Sequence, residues 1–277
     1  MKIPFLITAR LKSTRLKRKI LLKINGQELL THMIKRINKS KNIKNIVICT
    51  SNLKEDVNLN KIAKRNLVHI YKGSPNDVIL RLHKAAKKFN AKYIINITAD
   101  CPLIDPYYID LVAKKISQGK YDLVRSFDLP HGIFVYGIKV KALETICKIK
   151  KKDDTEIWER YFTDTGIFKI HDIKIKNKSH IKPGLRLTVD YKEDFILIKK
   201  IFNKLWLDNK FFNTSDILQL LKKEPELLKI NNKCSTKFSK KYNKNDKIDI
   251  DKKLLSKSKK LIKYKTFHQF LQNKGVR

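Results

Sequence analysis

Residues 5–22 read FLITARLKSTRLKRKILL, and the reading of this stretch decides how the rest of the chain is arranged. Its apolar start has the pattern of a buried strand, which empties into a loop holding Arg10, Ser13, Thr14, Arg15, Arg18 and Lys19. Open α/β sheets bind their ligands beyond the carboxyl ends of the strands. A strand feeding such a loop therefore sets cations and hydroxyls where a polyphosphate would sit. A loop that is basic only because the chain is rich in lysine is the competing reading, and the surrounding sequence has to decide between the two.

Outward from that stretch, strands and helices alternate. A helical pattern over 27–38 repeats Leu29, Leu30, Met33, Ile34 and Ile37, and NIVICT at 45–50 reads as a buried strand. A polar helix over 55–65, a strand at 67–71 and a helix over 76–89 follow, and YIINITA at 93–99 is the most strand-like run of all. Strands separated by helices of this length imply βαβ units and a parallel sheet, so residues 1–120 are expected to form a doubly wound half. Further on, strands are expected at 121–127, 133–139, 166–175 and 185–190, with helices over 140–149, 154–163, 192–205 and 215–228. The segment NNKCSTKFSKKYNKNDK is polar, basic and of low complexity, which reads as a linker. Two short helical patterns, 253–262 and 266–271, come after it.

Composition excludes more than it assigns. The net charge is +37, from 63 Lys and Arg against 26 Asp and Glu. A charge of that size raises nucleic acid or an anionic membrane as a partner. Here the lysines are spread through every segment, as a genome biased towards A and T would write them, so no specific nucleic-acid role is expected. No run approaches the roughly 18 apolar residues of a membrane span, and MKIPFLITAR lacks the pattern of a secretory signal. A cytoplasmic location is expected. Cys49, Cys101, Cys147 and Cys234 lie far apart, with no metal-ligand spacing, and read as reduced thiols.

Two acids matter by position. Asp100 and Asp190 each end an apolar run, so both should emerge at the sheet edge that carries the basic loop. Helix capping by Asp190 and a turn role for Asp100 are the plain alternatives. Together, two carboxylates beside a cluster of cations suit a magnesium-nucleotide site, because Mg²⁺ takes one or two carboxylates plus phosphate oxygens and water. The commoner phosphate cradles, GxxxxGKS/T and GxGxxG, are absent, as is the GxSxG nucleophile elbow. His131 falls in a turn sequence, Leu129-Pro130-His131-Gly132, where an exposed turn residue and an acceptor ligand are both open readings. The DxD run at 249–251, the metal motif a GT-A glycosyltransferase would need after a strand, sits in the linker-like tail.

ITARLKSTRLKRKILLKINGQELLTHMIKRI, YKGSPNDVILRLHKAAKKFNAKYIINITADCPLIDP and LRLTVDYKEDFILIKKIF lie in an order and spacing that resemble the CMP-sugar synthetase (cytidylyltransferase) family. The nearest branch is the spore-coat polysaccharide biosynthesis type, related to acylneuraminate and 3-deoxy-manno-octulosonate cytidylyltransferases. The likeness runs to the DILQLLKKEPELLKIN ending. It implies the nucleotide-diphospho-sugar transferase (GT-A-like) α/β fold, with a mostly parallel mixed sheet flanked by helices, over residues 1–230. Residues 231–277 are left as a basic linker and short helical tail.

The same resemblance implies transfer of CMP from CTP to an acidic, nonulosonate-type sugar with release of pyrophosphate, Mg²⁺ as cofactor, and a homodimer. Arg10, Ser13, Arg15 and Lys19 become the triphosphate set, with Arg10, Lys19 and Asp100 the catalytic ones. Asp100 and Asp190 become the metal ligands, and Asp77 with Arg81 a nucleotide-side or structural pair. His131 and Glu156 fall at the acceptor end. Three places depart from relatives. Lys17-Arg18 stands where they carry Pro-Gly, Gly132-Ile133-Phe134-Val135-Tyr136 replaces a run containing acids, and TEIWERYF replaces an REHVT-like segment. A nucleotidyltransferase with another nucleotide or sugar phosphate, or a catalytically weakened homologue serving as a partner subunit, is the alternative.

Overall fold

A computed structural model describes residues 3–182, 184–207, 210–242 and 248–259. In chain order the elements are β1 (Ile3–Thr8), β2 (Lys23–Ile24), β3 (Gln27–Glu28), α1 (Leu29–Ile37), β4 (Ile43–Ser51), α2 (Asn58–Arg65), β5 (His69–Gly73), α3 (Val78–Lys88) and β6 (Tyr93–Thr98). Then come α4 (Pro106–Ile116), β7 (Leu123–Arg125), β8 (Tyr136–Lys139), α5 (Val140–Ile149), α6 (Arg160–Thr163), β9 (Ile170–Asp172), α7 (Lys192–Leu205), α8 (Thr214–Lys223) and α9 (Asn232–Tyr242). Among the described residues, no helix is long and apolar enough to cross a membrane.

Seven strands form one sheet in the order β5-β4-β1-β6-β8-β7-β9. The pairs β5–β4, β4–β1, β1–β6 and β7–β9 are parallel, while β8 runs antiparallel to both β6 and β7. The mostly parallel mixed sheet expected from the resemblance is therefore the observed one. Central parallel strands are covered on both faces and so read as unbroken apolar runs. Phe5, Leu6 and Ile7 of β1 and Ile94 and Ile95 of β6 are fully buried, as that rule requires. The helices start on sequence signals. Asp77 caps α3 by accepting from the Leu80 amide, and Asp105 caps α4 by accepting from Tyr107 with Pro106 in the first turn.

Register matters most at the carboxyl edge. Thr8 pairs with Cys49 on one side and with Thr98 on the other, so β4, β1 and β6 end level. The Ala9 amide donates to Cys49 O and the Ala99 amide to Thr8 O, which carries the alignment one residue further. The basic loop after β1 and Asp100 after β6 thus leave adjacent strands at one height.

The run at 185–190, expected as a sheet strand, is not one. Among the described residues it forms a single bridge, His131 with Arg186. Leu187 and Val189 are nonetheless fully buried, in a second apolar cluster with Leu197, Ile198 and Ile201 of α7. Its apolar alternation therefore reports burial without a ladder. Pairing stops because the neighbour is a turn: Gly132 has φ +107°, and a Cβ there would lie 2.5 Å from the Leu187 carbonyl. The segment instead crosses the strand ends, held by Leu187 N to His131 O at 2.7 Å and Val189 N to Asp100 O at 2.9 Å.

The tail also differs from the expected linker. Residues 232–242 are helix α9, 248–251 run beside 149–151 through the Lys150–Ile250 bridge, and 252–259 are helical. Asp251 accepts from the Lys253 and Leu254 amides, so the DxD run ends as a helix cap. The helical pattern at 266–271 lies outside the described residues. Helix α6 occupies only the end of the expected 154–163 stretch. Gly132→Ala is expected to lower the unfolding free energy by about 2 kcal/mol or more, from the left-handed backbone together with the clash. Gly166→Ala, where φ is +66° but nothing lies near the added Cβ, is expected to cost distinctly less; urea titration of both variants measures the difference.

Candidate active site

Above the level strand ends lies a cleft of about 750 Å³. Its walls include Arg10, Ser13, Arg15 and Lys19 from the loop after β1, Asp100 from the end of β6, and Asp190 from the crossing segment. The Lys19 ammonium sits between the two acids, 2.5 Å from Asp100 Oδ2 and 2.8 Å from Asp190 Oδ1. Asp190 also receives Arg15 on Oδ1 and Arg186 on Oδ2, each at 2.5 Å. Burial opposes the Lys19 ammonium, but the two carboxylates outweigh it and push its pKa up to about 12. Burial would likewise raise the Asp190 carboxyl, yet Lys19 and Arg15 hold it well below the ordinary carboxylate range. Lys19 and Asp190 are therefore both charged at neutral pH.

Asp190 is available for this cluster because another acid does the capping. Asp194, fully buried in the first turn of α7, accepts from the Asp190 and Tyr191 amides at 2.9 and 3.0 Å. This is the return arm of a capping box. Asp194 also takes the Arg186 guanidinium, which in turn reaches His131 Nδ1 at 3.4 Å. A guanidinium can only donate, so Nδ1 is the unprotonated nitrogen and Nε2 carries the hydrogen. Burial, then Arg186, lowers the His131 pKa and keeps the ring neutral.

The remaining expected residues separate into two groups. His131 and Glu156 line the cleft, and Glu156 Oε1 accepts from Arg10 at 3.3 Å. Asp77 and Arg81 lie behind the wall instead. Arg81 is fully buried and donates to Ser74 O at 2.5 Å, while Arg10 donates to Pro75 O at 2.7 Å. Asp77 takes the Thr155 hydroxyl at 3.0 Å and the Lys150 ammonium at 2.5 Å. The pair fixes the 74–76 turn, whose Asn76 faces the cleft, and ties α3 to the segment bearing Glu156. At the far end, Glu159 accepts from Arg125 at 2.7 Å and from the Tyr136 hydroxyl at 2.8 Å, with Trp158 edge-on to Tyr136.

Could this cleft hold a divalent ion? Among the described residues no group of three or more His, Cys, Asp or Glu gathers to bind one. What is present is a pair of carboxylates with a cation between them, the donor set Mg²⁺ uses when substrate phosphates and water supply the rest. The residues fit the ion: Asp100 and Asp190 are the carboxylates that would hold it, and Lys19 is the cation it would displace.

A family model described as cytidylyltransferase matches residues 5–233. The chain belongs to the cytidylyltransferase family. It is similar to an uncharacterized protein of Methanocaldococcus jannaschii, 30% identical over 243 residues that cover 86% of this chain and 97% of that one. It is 26% identical to the spore coat polysaccharide biosynthesis protein SpsF of Bacillus subtilis, over 81% of this chain and 95% of that one. Among solved structures it resembles a cytidylyltransferase from Leptospira borgpetersenii with a TM-score of 0.75 and 29% identity, covering 82% of this chain and 97% of that one.

In this cytidylyltransferase Lys17-Arg18 stand where the resemblance places Pro-Gly. Arg18 adopts φ 50° and ψ 33°, the left-handed conformation that glycine takes without strain, and its side chain is exposed. Several residues of the site escaped the sequence reading: Glu159, Tyr136 and Phe238 line the cleft, and Arg186 and Asp194 lie buried behind Asp190. Arg186 and Asp194 flank Asp190 at four-residue spacing on either side, a signal present in the sequence and passed over. Asp190→Asn leaves Lys19, Arg15 and Arg186 crowded without their shared counter-charge, and is expected to cost about 3 kcal/mol in chemical denaturation. The sign with pH follows from the lowered Asp190 pKa. The contribution is present above the ordinary carboxylate range and is lost as pH falls through and below it, so the gap between wild type and Asp190→Asn should close in acid.

Proposed function

We propose that this cytidylyltransferase moves CMP from CTP to an acidic, nonulosonate-type sugar, releasing pyrophosphate, in the synthesis of a surface polysaccharide or glycan. The observation that carries the reading is the meeting of Arg10, Arg15 and Lys19 with Asp100 and Asp190 in one cleft at the carboxyl edge of the sheet. Each of these cations already has a carboxylate partner, Glu156 for Arg10 and Asp100 or Asp190 for the others, so an incoming triphosphate exchanges one set of anions for another.

The chemistry asks for positioning and charge neutralisation more than for a covalent intermediate. A sugar hydroxyl attacks the α-phosphate in line while the pyrophosphate bond breaks. Arg10 and Arg15 offer planar forks to phosphate oxygens, and Lys19 offers a compact charge to the leaving pyrophosphate. Ser13, beside them in the cleft, adds a hydroxyl donor. A bound Mg²⁺ would polarise the α-phosphate and lower the pKa of the attacking hydroxyl. His131, with Nε2–H as its donor, suits a carboxylate on the acceptor, and Glu156 lines the same cleft, where it holds Arg10.

One observation favours a second reading of the acceptor. Phe134 and Tyr136 face the cleft, and both oxygens of Glu159 are already engaged, so a sugar phosphate or a different nucleotide would meet an aromatic wall rather than free acids. The discriminating experiment crosses the four nucleoside triphosphates with acidic sugars and sugar phosphates and reads pyrophosphate release. CTP with an acidic sugar, and a requirement for Mg²⁺, is the expected outcome. Turnover with another pair replaces the substrate assignment, and no turnover with any pair favours the weakened homologue. Asp100→Ala is expected to lower turnover by a factor on the order of 100; a fully active variant would sink its metal role. With Lys19→Met and no nucleotide present, Mn²⁺ should bind at least about tenfold more tightly, because a competing charge is gone; electron paramagnetic resonance of free Mn²⁺ measures it.

A further inference from the structure

Helix α9 begins at Asn232, and the family match ends at residue 233. The helix thus lies almost wholly beyond that match, yet one of its faces packs into the candidate site. Asn231 donates to Arg186 O at 3.1 Å and to Asp194 Oδ1 at 2.8 Å. Cys234 is only 1% exposed. Lys237 pairs with Glu193 at 3.1 Å. Phe238 then reaches the cleft itself: its ring centroid lies 5.6 Å from Arg15 Cζ and 5.1 Å from Arg186 Cζ, and it meets the His131 ring edge-on at 6.0 Å. Residues 231, 234 and 238 follow helical spacing, so a single stripe carries all these contacts but the Lys237 pair.

We infer that Phe238 is a positioning residue of the phosphate site, holding the Arg15 guanidinium in place for an anionic ligand. The inference rests on the phosphate reading of the cleft given above. Arg15 lies near two rings, Phe238 and Tyr191, the latter at 5.7 Å. A cation–π contact engages the face of a guanidinium and leaves its edge N–H groups for oxygens. An aromatic ring at this place therefore orients the fork without using the donors that a phosphate needs, which a carboxylate partner cannot do. When the ligand takes over from Asp190, the Phe238 ring, with Tyr191 beside it, still packs against Arg15.

The test uses the full chain and inorganic tripolyphosphate, a probe that carries neither base nor sugar, titrated calorimetrically at physiological salt. Arg15→Gln sets the size of the loss when the guanidinium is absent. Phe238→Ala and Phe238→Leu are expected to weaken binding by roughly fivefold to tenfold, and Phe238→Tyr to stay within about twofold of wild type; thermal unfolding checks that each variant is folded. In pyrophosphate release the loss should appear in the KM for the nucleotide more than in kcat. Wild-type affinity in Phe238→Ala overturns the inference alone, and wild-type affinity in Phe238→Leu overturns its aromatic basis. Failure of the wild-type chain to bind tripolyphosphate, or no loss in Arg15→Gln, overturns the phosphate reading and this inference with it.

Discussion

The contact on which the rest depends is the Lys19 ammonium held between Asp100 and Asp190. Three stretches far apart in sequence must arrive together for it to form. A half-formed version would leave a buried charge without its partner, which is more costly than never burying it. The fold meets that condition through register. Parallel pairing of Thr8 with Thr98 sets the loop and Asp100 side by side, and the close approach at Gly132 brings Leu187 and Thr188 in across the strand ends with Asp190 following. Arg186 and Asp194 then complete a shell in which each carboxylate oxygen of Asp190 has a cation. The chain's overall excess of lysine is not repeated in this shell, where Asp100, Asp190 and Asp194 face Lys19, Arg15 and Arg186.

Much of this was legible in the sequence because the signals were local. The strand at the start, the buried runs that became β4 and β6, and the helix opened by Asp77 each carry a complete pattern within a few residues. Asp100 and Asp190 could be placed at the edge because each follows an apolar run. The errors have a common physical source. In LRLTVD the alternation reflects Leu187 and Val189 buried against α7, and alternation alone cannot distinguish a face packed on helices from a strand in a ladder. Asp77 and Arg81, read as a nucleotide-side or structural pair, are buried behind the 74–76 turn, which agrees with the structural one of those two readings.

Helix α9 was missed for a different reason. Its packing stripe is Asn231, Cys234 and Phe238, set among lysines, and only two of those residues are apolar. Hydrophobic periodicity is blind to a helix anchored by an amide and an aromatic ring that meets cations instead of other apolar side chains. The wall around Glu159 was obscure because what decides it is partnership. Nothing in the sequence marks Glu159, whose two carboxylate oxygens accept from Arg125 and from the Tyr136 hydroxyl.

Arg18 adds a point about when the cost of order is met. Its left-handed backbone is one that arginine adopts only under constraint, and the constraint comes from both ends of the loop. The Leu11 amide is held by Asp56 at 2.7 Å, and Lys19 and the buried Ile20 fix the other side. The conformational entropy of this segment is therefore surrendered once, during folding, and not again at each encounter with a ligand. Preorganisation of that kind leaves more of the contact energy to appear as affinity. The restriction that Pro and Gly would build into a chain locally is supplied here by tertiary anchors.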